Sequence, residues 1–132
     1  MAGTLTISTL SDGTNSTSAT DCIQGSAKAW VNFNSNGGTI AVRASYNVSS
    51  VTYISTGYFT VNFTNALADA NYAVTGNASV TAGLDPFSTV MPFSNWSTGA
   101  LITPTTTAFN VSVGQLGYSG RNTFYTMISV VR

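Results

Sequence analysis

Stretches in which apolar and polar residues alternate one for one recur along this chain. In Ala27–Phe33, the residues Ala29, Val31 and Phe33 fall on one side, and Lys28, Trp30 and Asn32 on the other. After a turn at Asn34–Gly38, Ile40, Val42 and Ala44 alternate with Thr39, Ala41 and Arg43. Gly57–Phe63 sets Phe59, Val61 and Phe63 against Tyr58, Thr60 and Asn62, and Ala108–Val113 sets Phe109, Val111 and Val113 against Asn110 and Ser112. A period of two places successive side chains on opposite faces of a strand, so each run predicts a β-strand. Phe124–Val131 predicts the last one, with Phe124, Ile128 and Val130 opposed by Tyr125, Met127 and Val131. It is apolar on both faces and is therefore expected to be covered on both.

Two places break the alternation. Val48 and Val51 stand three apart in Tyr46–Tyr53, which in a strand calls for a bulge or bend. Asn65–Asn71 (NALADAN) is the one stretch expected to form a single helical turn. Pro86, Pro92 and Pro104 predict bends or edge positions, because proline cannot donate to a central ladder. Gly, Asn, Ser and Pro punctuate the runs at short, regular spacing, so the chain reads as an all-β, antiparallel β-sandwich of about eight or nine strands.

Residues 1–24 differ from the rest. Leu5, Ile7 and Leu10 make a brief apolar strip, followed by the small, polar Ser11–Thr20. One reading is an extended N-terminal arm and linker (1–24) before a sandwich domain (25–132). The other is a first strand and a long loop of that same domain.

Composition narrows the function. Thr, Ser and Asn supply 50 of the 132 residues, while four Lys/Arg and four Asp leave the chain 6% charged with no net charge. Such a surface lacks the basic footprint that phosphate neutralisation requires, so nucleic acid is not an expected partner. The richness in aromatic and β-branched residues argues against disorder. No apolar run approaches the ~18 residues of a membrane-spanning helix, and Met1–Thr14 shows no basic region followed by an apolar stretch. Cys22 is alone, so an internal disulfide is excluded.

Motifs for catalysis are missing. The chain has no His and no Glu, which removes Ser–His and Cys–His pairs. Lys28 among seventeen serines carries almost no information about a Ser–Lys pair. Asp12, Asp21, Asp69 and Asp85 all lie in turn-like contexts, where Asp ordinarily bonds its own backbone rather than flanking a glycosidic bond. A single Cys cannot build a zinc site, and Asp12–Asn15 offers too few oxygens for calcium. No catalytic residue, cofactor or metal is expected. What remains is aromatic chemistry: Trp30, Tyr58 and Tyr125 each stand opposite a core-type residue. Aromatics with a polar tip suit subunit interfaces, sugar-binding platforms and doubly covered sheets alike.

The runs GSAKAWVNFN (Gly25–Asn34), TIAVRASYNVSSV (Thr39–Val51) and TGYFTVNFTNALADANYAV (Thr56–Val74) occur in this order at close spacing. They resemble a β-sandwich module of tailed bacteriophages, found at the distal ends of tail fibres and tailspikes and in small stand-alone virion proteins. The resemblance covers about 50 residues strongly, from Gly25 to Val74, and fades in a more variable second half (Thr75–Gly120). It implies a non-enzymatic, homotrimeric virion surface protein. For a trimer, Lys28, Trp30, Asn32, Tyr125 and Met127 are the candidate subunit interface.

Tail fibres place this module after an anchoring domain and a shaft. Met1 stands only 24 residues before it here, and no heptad, Gly-X-Y run or repeat is present to form a shaft. The expectation is therefore a capsid decoration (cement) protein on the outer surface of the phage head, made in the bacterial cytoplasm. Leu5, Ile7 and Leu10 would attach it to the major capsid protein. The alternative is a fibre or tailspike tip that binds a host-surface glycan, and a decoration protein could also adhere to the host in that way.

Overall fold

The computed structural model describes residues 3–79, 89–114 and 120–132. Their strands are β1 (Thr9–Ser11), β2 (Ser16–Ser18), β3 (Ala27–Asn34), β4 (Ala41–Tyr46), β5 (Val48–Ser55), β6 (Tyr58–Phe63), β7 (Ala73–Ser79), β8 (Thr89–Pro92), β9 (Ser94–Asn95), β10 (Ala100–Leu101), β11 (Ala108–Gly114) and β12 (Tyr125–Val131). One short α-helix, α1, spans Ala19–Gly25, and a single 3-10 turn at Asn36–Gly38 joins β3 to β4.

Eight of these strands pair antiparallel in the order β4-β3-β12-β7-β8-β11-β6-β5. Between β7 and β8 the ladder narrows to the single pair Asn77–Thr89. There it folds over, so that β4-β3-β12-β7 faces β8-β11-β6-β5 as an antiparallel β-sandwich. Period-two alternation puts Ala29, Val31, Phe33, Ile128 and Val130 of the first sheet against Phe59, Val61, Phe63, Phe109, Val111 and Val113 of the second, all buried. Phe33 and Phe59 lock the halves together, and Phe63, Tyr72, Phe93 and Phe109 extend the core as a run of mostly edge-to-face rings. The expected irregularity near Val48 is a register shift between Val48 and Ser50 against β6, which lets Val51 be buried.

Several expectations are corrected. Asn65–Asn71 makes no helical turn. The Leu67 amide donates to the Thr106 carbonyl (2.8 Å) and the Asn71 amide to Asp69 Oδ1 (2.8 Å), so the backbone groups a helix would use are taken by others. The strict alternation expected for Ile40–Ala44 is interrupted: Asn32 stands opposite Ala44 but Phe33 opposite Val42, leaving Arg43 as the extra residue of a bulge. β12 is not covered on both faces, since Tyr125 and Met127 are exposed. Pro92, by contrast, fits the expected bend: it ends β8 where β7 no longer pairs with it, and is followed by Phe93 at φ 59°. Pro86 lies outside the described residues.

Residues 9–25 take up regular structure of their own. β1 and β2 form a hairpin closed by an Asp12 turn, in which Oδ1 accepts from the Thr14 and Asn15 amides (2.9 and 2.7 Å). α1 follows at once, capped by Ser18 Oγ accepting from the Asp21 amide (3.0 Å). No residue from 3 to 27 is buried, so this unit adds nothing to the sandwich core.

Candidate functional site

The two outer faces of the sandwich differ. On β8-β11-β6-β5, the segment after β8 folds back over the strands. Ser112 is fully buried there, its hydroxyl donating to the Ser94 carbonyl (2.7 Å) and accepting from the Trp96 amide (3.2 Å). Tyr58 is buried on the same side, its hydroxyl accepting from Asn110 Nδ2 (2.6 Å). Among the described residues, none folds in this way over the outer face of β4-β3-β12-β7.

That bare face is built from the alternate residues of four strands. Register puts Trp30 between Tyr46 on β4 and Ser129 on β12, with Thr75 of β7 beyond Ser129. The next row is Ala44, Asn32, Met127 and Asn77. Tyr125 follows at the end of β12, its ring beneath the Arg43 guanidinium at 4.1 Å, and Arg43 Nη1 also donates to the Phe124 carbonyl (2.5 Å). Trp30, Met127, Tyr125 and Tyr46 keep 39%, 46%, 48% and 58% of their surface in contact with solvent. A groove of about 590 Å³ runs between Trp30, Asn32, Met127, Thr75 and Asn77. Asn32 Oδ1 is buried at its edge and accepts no hydrogen bond.

Of the residues expected at a subunit interface, Trp30, Asn32, Tyr125 and Met127 thus come together on one face. Lys28 is engaged elsewhere: its ammonium donates to the Ile23 carbonyl and to Ser26 Oγ (2.8 Å), holding the C-terminal end of α1. Tyr46, Arg43, Thr75 and Asn77 belong to the face as well. Thr75 and Asn77 alternate with Val74 and Gly76 along β7, and strand order brings them beside Ser129 and Met127. Leu5, Ile7 and Leu10 are exposed on the N-terminal unit and are joined by Ile23 of α1.

The charges are segregated. β3, β4, β7 and β12 contain Lys28 and Arg43 and no acid, whereas residues 3–27 contain Asp12 and Asp21 and no base. Amides at Asn15 and Thr14 hold the Asp12 carboxyl below its usual range, so it stays ionised. Among the described residues no three of His, Cys, Asp and Glu gather to hold a metal, and no helix is long and apolar enough to cross a membrane. The chemistry available on the bare face is that of recognition: aromatic planes, a thioether, amides and hydroxyls. Compared with family models, with curated proteins and with solved structures, the chain matches none.

Proposed function

We propose that this protein is a non-enzymatic structural component of a tailed-bacteriophage virion: a homotrimeric decoration protein on the outer surface of the head that binds the major capsid protein and reinforces the shell. The observation that carries the reading is the uncovered outer face of β4-β3-β12-β7, where Trp30, Tyr46, Tyr125 and Met127 surround Asn32. Tyr, Trp, Met and Arg are the residue types enriched in the buried centres of protein interfaces, and this face holds all four. The likeness of Gly25–Val74 to the phage module supplies the setting. A hydroxyl-rich surface of few charges suits it, since identical copies packed on a lattice then repel one another little and immobilise few long side chains. Trimers attached at several points hold more firmly than any single contact, because each tethered site raises the effective concentration of the others.

Labelled antibody on intact particles tests the placement. Signal over the whole head supports the reading, and signal restricted to the tail overturns it. Sedimentation of the purified protein tests the association. A trimer that dissociates in a Trp30→Ser/Met127→Lys variant supports it, and a wild type that stays monomeric well into the micromolar range overturns it.

One observation favours a second reading, a fibre or tailspike tip that binds a host-surface glycan. The groove beside Trp30 carries no charge and is edged by Asn32, Thr75 and Asn77, a lining suited to a neutral sugar ring. Binding of the purified protein on a glycan array, lost on Trp30→Ser, would favour it.

A further inference from the structure

We propose that the N-terminal unit of one copy, residues 3–25, docks on the bare β4-β3-β12-β7 face of a second copy. The inference rests on the self-association part of the reading above and deepens it, naming which surface meets which.

The N-terminal unit cannot account for its own order. A hairpin of three-residue strands and a helix of seven residues are each below the size at which such elements hold in water unaided. The unit has no buried residue, and it turns Leu5, Ile7, Leu10 and Ile23 to solvent at 80%, 40%, 54% and 65% exposure. A partner surface must supply the apolar burial that the unit lacks.

The same chain holds an apolar surface in the same condition, and charge decides how the two are matched. Packing the bare face on its own image would bring Arg43 toward its counterpart, with no acid on β3, β4, β7 or β12 to separate them. It would also leave the N-terminal unit uncovered. Packing the unit on the face sets the carboxylates of Asp12 and Asp21 against the guanidinium of Arg43, the cation that lies over Tyr125 on that face. Both apolar surfaces are then buried in one contact. Because the two surfaces differ, the contact is head-to-tail, and a head-to-tail contact closes into a ring when its rotation divides a full turn. A rotation of about 120° gives the trimer.

Complementation tests this. One full-length variant, Leu5→Asp/Ile7→Asp/Leu10→Asp, spoils the docking unit. Another, Trp30→Ser/Met127→Lys, spoils the receiving face. All five side chains are exposed, so both variants should keep the wild-type β spectrum. Each alone should sediment as a monomer where the wild type is an oligomer. An equimolar mixture should form a 1:1 dimer and nothing larger, because one intact unit and one intact face remain. Asp12→Asn/Asp21→Asn should weaken wild-type assembly roughly two- to fivefold and lower its salt sensitivity.

An oligomeric N-terminal variant beside a monomeric face variant would mean that face packs on face, which overturns this inference and leaves the proposed function standing. An oligomeric N-terminal variant that no longer binds capsids would assign the unit to the shell, which also overturns it. Absence of the mixed dimer overturns it as well. If wild type and variants are all monomers, the self-association reading falls with it.

Discussion

Phe33 of β3 and Phe59 of β6 meet edge to face across the sandwich, ring centroids 5.4 Å apart and planes at 76°, and both side chains are fully buried. The contact spans the two sheets, so it fixes their separation as well as contributing buried area. Phe59→Ala should destabilise the fold by about 3–5 kcal/mol, the range for emptying an aromatic site in a core. A double-mutant cycle with Phe33→Leu and Phe59→Leu should show a coupling of about 0.5–1.5 kcal/mol, the part owed to ring geometry. Chemical denaturation of the four proteins measures both. A coupling near zero would mean that the rings contribute area alone.

Asn47 makes the corner between β4 and β5, where the chain passes from one sheet to the other. It sits at φ 52°, a left-handed conformation that Asn tolerates better than most residues. Its Nδ2 donates to the carbonyls of Lys28 (3.1 Å) and Asn65 (3.2 Å), and its Oδ1 accepts from the Asn65 amide (2.8 Å). Asn47→Ala loses all three bonds and keeps the strained backbone, at an expected cost of about 2–4 kcal/mol. Asn47→Gly loses the same bonds and relieves the strain, so it should be milder by about 1 kcal/mol. Equal losses in thermal unfolding would show that the side-chain bonds decide the corner by themselves.

The strands that carry the core were legible because each has one buried and one less buried face. In β3, β6 and β11 the alternation of Val31 with Asn32, Val61 with Asn62 and Val111 with Asn110 is readable without knowing any partner. What alternation cannot report is a position whose role is set by a distant segment. Asn65–Asn71 looks helical locally, but the Thr106 carbonyl claims the Leu67 amide from some forty residues away. The reverse holds for α1. Ser18 and Asp21 form the Ser-x-x-Asp start of a capped helix, and that signal was present in a stretch whose polar composition read as linker.

The same division applies to the bare face. Trp30, Asn32, Tyr125 and Met127 could be grouped from alternation and antiparallel order. Whether that group was covered could not, because cover depends on where residues after β8 fold, and Ser94 and Trp96 fold over Ser112 instead. Lys28 shares the period of Trp30 and Asn32, yet its ammonium is drawn to the carbonyl at the end of α1, an element alternation did not reveal. Cross-strand neighbours such as Tyr46 and Asn77 emerge only with the register.

Gly57 shows where a glycine is required by space as well as by backbone angle. It turns the chain from β5 into β6 at φ 70°, its carbonyl accepts from the Val113 amide (2.7 Å), and an added Cβ would run into the backbone of Val113, Gly120 and Arg121. Gly99 has a similar φ of 66° and nothing near it. Gly99→Ala should therefore cost about 1 kcal/mol, the backbone term alone. Gly57→Ala should cost at least about 3 kcal/mol, because backbone atoms cannot swing aside as side chains can. Similar unfolding midpoints for the two variants would refute the close approach.

Stability should fall at both ends of the pH scale for separate, identifiable reasons. Hydrogen bonds from the Arg132 guanidinium, with help from the Asn71 amide, lower the Asp69 carboxyl to about 2 from its ordinary 3.8. A depressed folded pKa gives stability that is complete above the unfolded value and disappears as pH falls from about 4 toward 2. In Arg132→Ala the carboxyl loses its main partner, so the acid limb should flatten while the midpoint near neutrality drops only slightly, as befits an exposed pair. At the other end, burial pushes the Tyr72 hydroxyl up to about 12 from 10.0. A raised folded pKa gives stability that is complete below the unfolded value and is lost as pH climbs from about 10 to 12, because the unfolded chain ionises first. Tyr72→Phe should remove that alkaline limb while lowering stability at every pH, since the hydroxyl donates to the Thr105 carbonyl (3.0 Å). With no histidine in the chain, no side chain has an ordinary pKa near neutrality, and the curve between the limbs should be close to flat. Thermal midpoints from pH 2 to 12 on the wild type and both variants would decide. An acid limb unchanged in Arg132→Ala, or an alkaline limb surviving in Tyr72→Phe, would assign that limb to another group.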